Sequence, residues 1–274
     1  MTRKRLAVLG QPISHSRSPA IHSAALLELG LADEWSYEAI EVAPSDFEAL
    51  LRRMADEGFV GANVTVPHKV AALELAEEAS EEARAIGAAN TLSFSHGRIV
   101  AENTDARGFL DSLPVGPLGE RALVLGAGGS ARAVTWALVT AGAQVSIWNR
   151  TPEKAKRLAD EFGASALRSS DEPLATVNFN LVVNTTTVGM GGSGEGVTGL
   201  KSLPVRADSL GETHQLVDLA YGPAETELAR AARAHGATVV DGLEVLVRQG
   251  AASLRIWTGQ DPPIGTMRRA ARAR

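Results

Sequence analysis

Leu123-Val124-Leu125-Gly126-Ala127-Gly128-Gly129-Ser130-Ala131 decides how this chain folds. The apolar triplet reads as a buried strand, the glycines as a tight turn, and the residues from Ser130 onward as a helix. Gly126, Gly128 and Ala131 fit the dinucleotide-binding fingerprint in its Ala-ended form, with Ala127, Gly129 and Ser130 completing the loop. Gly126 permits the turn, Gly128 has no side chain to block a pyrophosphate, and the open amides of the helix N-terminus attract an anion. A glycine turn alone is often only a turn. Here a strand precedes it, a helix follows over 130–141, and a second strand runs over 144–148.

That second strand ends in Asn149-Arg150-Thr151, with Lys154 one turn further on. A site for NAD ordinarily has Asp or Glu at this point to bind the ribose hydroxyls. A carboxylate would repel a 2′-phosphate, whereas Arg and Lys attract one. The missing acid favours NADP; the competing explanation is a solvated basic face.

The alternation continues downstream. Thr151 is a candidate N-cap with Pro152 at N1, opening a helix to about residue 162. Strands are expected at 181–184, 216–219 and 238–240, with helices at 225–235 and 243–257. Thr185, Thr186 and Thr187 follow the first of these strands, at the kind of edge where cofactors bind. Such order implies parallel strands joined by helical crossovers. The Gly- and Ser-rich stretch 189–199 reads as a mobile loop, and the basic tail 267–274 as a solvated helix end.

Upstream, a strand at 6–10, a helix at 19–29 and a strand at 37–42 lead to Ser45-Asp46-Phe47-Glu48. That tetrapeptide has the form of a capping box, with Ser45 as N-cap and Glu48 at N3, opening a helix to about residue 57. A strand at 60–66 stops at Pro67, and Ala-rich acidic helices are expected over 68–86. Segments 91–94 and 98–101 flank Ser95-His96-Gly97 as a hairpin. A short helix over 105–113 then meets a linker marked by Pro114, Gly116, Pro117 and Gly119.

Composition removes several classes of function. The chain has 274 residues, 45% of them hydrophobic and 22% charged, which suits about two packed domains. The net charge of -5 disfavours a nucleic-acid or anionic-membrane partner. There is no Cys, hence no disulfide framework and no thiol nucleophile. The basic start Met1-Thr2-Arg3-Lys4-Arg5 precedes an apolar run too short for a signal peptide, broken at Gly10, Gln11 and Pro12. No apolar run approaches the ~18 residues of a membrane span. The expectation is a soluble cytoplasmic protein with a small-molecule substrate, monomeric or homodimeric. The six His residues show no metal-ligand spacing, so no metal is expected.

Three polar islands stand in apolar surroundings: Asn63-Val64-Thr65-Val66-Pro67-His68-Lys69, Gly87-Ala88-Ala89-Asn90-Thr91 and Glu102-Asn103-Thr104-Asp105. Amide and hydroxyl side chains beside one Lys and one Asp suit a polyhydroxylated ligand and a proton transfer. A surface ion pair is the commoner fate of Lys and Asp, but the flanking Asn and Thr residues argue for a site.

With these segments the whole chain resembles the shikimate dehydrogenase family. The resemblance rests on Gly10-Gln11-Pro12-Ile13-Ser14-His15-Ser16-Arg17-Ser18-Pro19, the three islands, the 126–130 loop, Asn149-Arg150-Thr151, Asp241-Gly242-Leu243 and Gln249. It implies an α/β fold: an N-terminal α/β substrate domain and a Rossmann-like dinucleotide-binding domain with a cleft between them. The expected bounds are 1–105, completed by C-terminal helices over 243–274, and 106–242. It implies an NADP-dependent oxidoreductase that interconverts 3-dehydroshikimate and shikimate in aromatic amino-acid biosynthesis. Ser16 and Ser18 would hold the substrate carboxylate. Thr65, Asn90, Asp105 and Gln249 would bind ring hydroxyls, and Tyr221 would lie near the nicotinamide or the substrate. Leu219 and Gly242 join the Gly126–Ala131 loop, Asn149, Arg150, Thr151, Lys154 and Thr185 as cofactor contacts. Thr at 185 and Lys at 154, where many members have Ala or Ser and Arg, are departures from the family pattern.

Lys69 and Asp105 match the catalytic pair. An ammonium ordinarily titrates near ~10.4 and acts as a base where desolvation favours its neutral form; a nearby carboxylate opposes this. Two roles for Lys69 follow: it relays the proton, or it positions the hydroxyl and stabilises oxyanion charge. A quinate/shikimate dehydrogenase that uses NAD is the rival within the family, and a non-catalytic NADP-sensing module the rival outside it.

Overall fold

The computed structural model describes residues 3–168, 174, 176–190, 202–222 and 224–273, and the chain divides into two compact units. One unit comprises Met1–Gly108 with Leu246–Arg274; the other is Phe109–Val245.

The first unit is built on a mixed six-stranded sheet in the order β2-β1-β3-β5-β6-β4. Its strands are β1 (Lys4–Gly10), β2 (Trp35–Glu41), β3 (Phe59–Val64), β4 (Glu78–Ala79), β5 (Thr91–Ser95) and β6 (Arg98–Glu102). β1 lies parallel to β2 and β3; β5 runs antiparallel to β3 and β6. The helices are α1 (Ser18–Glu28), α2 (Phe47–Asp56), α3 (Lys69–Glu74), α4 (Glu81–Ile86) and α5 (Asp105–Leu110). α2 buries Phe47, Leu50, Leu51 and Met54, a spacing that puts all four on one helical stripe against the sheet core of Leu9, Ala62, Leu92 and Ile99. The β5–β6 hairpin turns through His96 (φ 51°) and Gly97 (φ 73°), both left-handed, as a two-residue turn requires when its twist must match the strands.

Register brings the three polar islands together. Asn63 at the end of β3 pairs with Thr91 at the start of β5, and Thr91 pairs with Glu102 at the end of β6. Because β5 runs against its neighbours, islands far apart in sequence meet at one edge of the sheet.

The second unit is a parallel sheet in the order β12-β11-β10-β7-β8-β9. Its strands are β7 (Arg121–Leu125), β8 (Gln144–Trp148), β9 (Ser165–Ala166), β10 (Leu181–Asn184), β11 (Gln215–Asp218) and β12 (Thr238–Asp241). α6 (Gly129–Thr140), α7 (Pro152–Phe162) and α8 (Glu227–Ala234) make the crossovers, and α9 (Gly242–Thr258) follows β12. Counted from β7, the strand order is the doubly wound 3-2-1-4-5-6, so the chain reverses direction between β7 and β10. β7 and β10 sit in mid-sheet and are almost wholly buried, which explains their continuous apolar runs.

Three local expectations are corrected. The capping box does not form: Pro44 starts a 3₁₀ turn over Pro44–Asp46, so Ser45 lies inside that turn and α2 begins at Phe47 without a side-chain cap. Thr151 stands at the N-cap of α7 ahead of Pro152, as expected, and its side chain makes no capping bond. The helical stretch at 68–86 is interrupted by β4, which pairs with β6. The basic tail is more than a solvated helix end: α10 (Ile264–Arg272) buries Met267 and Ala271, one turn apart, and packs against α1. β9, only two residues long, was too short for its periodicity to be read. The expected mobile loop lies outside the described residues from position 191 onward.

Candidate active site

In the first unit, Lys69 opens α3 directly after β3. The preceding turn is locked by His68, which stacks on Phe47 (centroids 4.2 Å apart) and donates from Nε2 to the Val42 carbonyl at 2.9 Å. Asp105 opens α5 after β6. Asn103 sets its direction, accepting through Oδ1 from the amides of Asp105 (3.0 Å) and Ala106 (3.3 Å). Lys69 Nζ donates to Asp105 Oδ2 at 2.5 Å, and the two side chains are only 9% and 16% exposed. An ion pair so shielded from water is unlike the solvated surface pairs elsewhere on the chain, such as Lys156–Asp160, whose side chains are 69% and 63% exposed.

Asn90 is the hub of this site. Its Oδ1 accepts from the Thr104 amide at 2.7 Å. Its Nδ2 faces three acceptors: Thr104 Oγ1 at 3.0 Å, Asp105 Oδ1 at 2.9 Å and Gln249 Oε1 at 3.0 Å. An amide nitrogen carries two hydrogens, so one acceptor is left over for a donor from elsewhere, such as a ligand hydroxyl. Gln249 reaches Asn90 because α5 and α9 approach closely at Gly108, where an added Cβ would lie 2.6 Å from the Gln249 amide nitrogen. Gln249 Nε2 donates to the Leu246 carbonyl at 2.9 Å, which fixes which end of the amide faces Asn90.

Two supporting residues, Ser253 and Tyr37, carried no sequence-derived role. Ser253 bonds with Thr91 Oγ1 at 2.9 Å and Thr104 Oγ1 at 3.1 Å, and accepts from Asn63 Nδ2 at 2.9 Å. Asn63 Oδ1 in turn accepts from the Tyr37 hydroxyl at 2.8 Å. Asn63 and Thr104 lay within the quoted islands. Ser253 is four residues beyond Gln249, so their shared helical face was the available signal.

Ser16 and Ser18 stand at the start of α1, where Ser16 Oγ accepts from the Ser18 amide at 3.3 Å. No side chain caps that helix. Thr65 lies beside this loop: its amide donates to the Leu9 carbonyl at 2.9 Å, while the Gln11 amide donates to the Val66 carbonyl at 3.0 Å. Thr65, Ser16, Ser18, Asn90, Lys69, Asp105 and Gln249 all belong to the first unit.

In the second unit, Gly126 follows β7 at φ 117°, and a Cβ there would lie 2.4 Å from Thr185 Oγ1. Thr185 follows β10, donating from its amide and hydroxyl to the Leu125 carbonyl at 2.9 Å and 2.7 Å. The two meet where the strand order reverses, the expected place for a dinucleotide. α6 starts at Gly129 with Gly128 as N-cap and no side-chain cap, so its first amides are open to an anion. Ala127 and Ser130 are half-buried in this loop, and Ala131 is buried beneath it. Asn149, Arg150 and Thr151 follow β8; Asn149 Nδ2 donates to the Thr151 carbonyl at 3.0 Å, and Arg150 and Lys154 are exposed. Leu219 and half-buried Tyr221 follow β11, and Gly242 opens α9 after β12. The residues present therefore fit a phosphorylated dinucleotide: a side-chain-free turn, an uncapped helix start and two cations at the next strand end. Among the described residues there is no cluster of His, Cys, Asp and Glu able to hold a metal, and no helix long and apolar enough to cross a membrane.

Comparison with known proteins agrees with this geometry. Residues 8–92 match the model of the shikimate dehydrogenase substrate binding domain. Residues 115–189 match shikimate / quinate 5-dehydrogenase, and residues 242–272 the shikimate 5'-dehydrogenase C-terminal domain. A shikimate dehydrogenase (NADP(+)) of Brucella abortus is 45% identical over 272 residues, covering 96% of this chain and 92% of the relative. The structure of a Thermus thermophilus shikimate 5-dehydrogenase in complex with NADP(H) and shikimate superposes with a TM-score of 0.85 at 42% identity, covering 98% of each chain. A 5-ketofructose reductase of Gluconobacter also superposes with a TM-score of 0.85, at 30% identity over 99% of this chain and 98% of its own. Agreement of this extent, over nearly the full length in sequence and structure, places the chain in the shikimate dehydrogenase family.

Proposed function

We propose that the protein catalyses the reversible NADP-dependent reduction of 3-dehydroshikimate to shikimate, a step of aromatic amino-acid biosynthesis. The observation that carries this reading is the shielded Lys69–Asp105 pair, 2.5 Å apart and bonded through Asp105 Oδ1 to Asn90. The Brucella relative bears this activity in its name, and the Thermus neighbour holds both ligands.

When bound, NADPH supplies the hydride. The side chains of this chain do the rest. Ser16 and Ser18 hold the substrate carboxylate through hydroxyl and amide groups at the start of α1. Thr65, Asn90 and Gln249 bind the ring hydroxyls, using the acceptor that Asn90 leaves unmatched. Lys69 stands at the ketone oxygen, donating a hydrogen bond as negative charge develops there and supplying the proton that completes the alcohol. Asp105 keeps the Lys69 ammonium in one place. Tyr221 lies at the reacting end, and Leu219, Thr185 and Gly242 border the cofactor. Arg150 and Lys154, with Asn149 and Thr151, receive the 2′-phosphate, and the 126–131 loop receives the pyrophosphate.

We assign the two domains as 1–105 with 243–274 and as 106–242, and place the protein in the cytoplasm as a monomer or homodimer. Supporting the location is the lack of Cys, which suits a reducing compartment.

A steady-state assay of shikimate and quinate, each with NADP and NAD, and of 5-ketofructose with NADPH and NADH, tests the reading. Turnover should be fastest with shikimate and NADP. Equal rates with quinate, or a preference for NAD or the ketose, would reassign the substrate; no turnover with any pair would leave a nucleotide-binding module.

A further inference from the structure

Asp218 ends β11 at 1% exposure and takes no part in the chemistry above. Its Oδ1 accepts from Asn184 Nδ2 at 2.8 Å and from the Ala220 amide at 3.1 Å; its Oδ2 accepts from Thr226 Oγ1 at 2.5 Å. Asn184 and Thr226 pass the connection on. Asn184 Oδ1 accepts from the Thr186 amide at 3.1 Å and the Thr186 hydroxyl at 2.7 Å, and Thr186 Oγ1 accepts from the Val188 amide at 3.1 Å. Thr226 is the N-cap of α8, accepting from the Ala229 amide at 3.1 Å. One buried carboxylate thus ties together the loop after β10, the loop after β11 that leads to Tyr221, and the start of α8.

A carboxylate in such a place is costly unless fully hydrogen-bonded, and apolar groups could join two strands without that cost. Burial pushes the Asp218 carboxyl above the usual carboxylate range, and its three donors oppose that push. What a carboxylate adds over a neutral group is the ability to accept from several donors at once and so hold two loops in one arrangement. These loops lie at the carboxyl ends of β10 and β11, on the opposite side of β7 from Arg150 after β8. A dinucleotide whose 2′-phosphate meets Arg150 and whose pyrophosphate meets the 126–131 turn must extend its nicotinamide end toward β10 and β11.

We propose that Asp218 is a positioning residue for hydride transfer, setting the 184–188 and 219–221 loops through Asn184, Ala220 and Thr226. The inference rests on the dehydrogenase reading. It acts through other residues and touches no reacting atom, so its effect belongs in kcat and in loop order rather than in capture of the phosphate end.

The test compares the full-length protein with Asp218→Asn, Thr226→Val and Thr226→Ser. Shikimate oxidation by NADP, calorimetric binding of adenosine 2′,5′-bisphosphate, and backbone hydrogen exchange without ligand are measured for each. Asp218→Asn should lower kcat by roughly 10²-fold, the scale of misplacing reacting groups by about an ångström. Binding of the bisphosphate should stay within about twofold, because that probe reaches only the Arg150 side. Exchange should speed up at Thr186, Val188 and Ala220 and stay unchanged in β7 and β8. Thr226→Val should show the same pattern more weakly, and Thr226→Ser, which keeps the hydroxyl, should restore it. Wild-type kcat in Asp218→Asn, unchanged exchange at the three amides, or equal behaviour of the Val and Ser variants overturns the inference. If Asp218→Asn does not fold, the Thr226 pair decides alone. A wild-type protein that fails to oxidise shikimate refutes the dehydrogenase reading instead, and that control separates the two failures.

Discussion

The substrate-side site and the β8 edge of the dinucleotide unit hold their functional groups in opposite ways. Around Asn90, the candidate site side chains are already bonded to one another: Lys69 to Asp105, Asp105 to Asn90, Asn90 to Gln249 and Thr104. At the end of β8, Arg150 and Lys154 stand exposed, and among the described residues no hydrogen bond or ion pair engages their side chains. The ligands proposed for the two places account for the difference. A ring hydroxyl is recognised by direction, so its partners must be aimed beforehand, and aiming requires neighbours that fix each amide and hydroxyl. A phosphate is recognised by charge acting over several ångströms, so its cations can remain solvated until it arrives.

If that contrast is right, the largest effect comes from cutting the wired site at its cation. Lys69→Ala should lower kcat by about 10³-fold while KM for shikimate changes only severalfold, as expected for a group used mainly in the transition state. A loss seen chiefly in KM would reduce Lys69 to a binding residue. Next comes a change that touches no ligand. Gly108→Ala places a methyl against the Gln249 backbone. It should destabilise the substrate unit by about 1–3 kcal/mol and weaken shikimate binding, leaving NADP affinity intact. Denaturant melts together with titrations of both ligands check this; equal weakening of both would break the contrast.

The solvated edge should respond more mildly. Arg150→Ala should reduce NADP affinity by about tenfold, equivalent to ~1.4 kcal/mol, and shift NAD affinity by less than about twofold. Fluorescence titration with each nucleotide decides it, and an unchanged NADP affinity would remove the specificity argument.

The smallest effect concerns pH. His22 is fully buried, stacks on Tyr37 at 4.1 Å, and neither ring nitrogen has a hydrogen-bond partner among the described residues. Burial lowers its pKa from 6.5 to about 3. The unfolded chain therefore takes up a proton below about pH 6.5 that the folded unit refuses. The stability contributed by the neutral ring is present above that pH and is lost as pH falls toward 3. Between pH 7.5 and 6 the loss is about 1 kcal/mol, steepening below to about 1.4 kcal/mol per pH unit. His22→Phe should flatten this slope in denaturant melts across that range; an unaltered slope would show that His22 is not the group responsible.

The same contrast explains what could be read without coordinates. The dinucleotide motif is contiguous: strand, glycine turn and helix follow one another within 123–131, so local pattern was enough to locate it. The substrate network is not contiguous. Asn63 meets Ser253 across 190 positions and Asn90 meets Gln249 across 159, separations at which no local periodicity operates. Lys69 and Asp105 could be singled out by residue type and family likeness; for Ser253 the only local signal was its helical spacing from Gln249, and nothing local pointed to Tyr37. Errors near helix ends have the same origin. Pro44 shifted the entry to α2 past Ser45, and three arginines in α10 obscured the Met267–Ala271 face that α1 covers.

From the chain alone came the α/β alternation, the glycine turn before a helix, the basic strand end in place of an acid, and the residue types of the Lys69–Asp105 pair. These depend on neighbours a few positions apart, whose side-chain period and backbone preference act before any tertiary contact exists. Only the folded structure decided the strand order that reverses beside Gly126, the antiparallel register that gathers Asn63, Thr91 and Glu102 at one edge, and the buried bonds through Asn90 and Asp218. Those depend on which distant segments bury their apolar faces against each other, and no short stretch of sequence encodes that pairing.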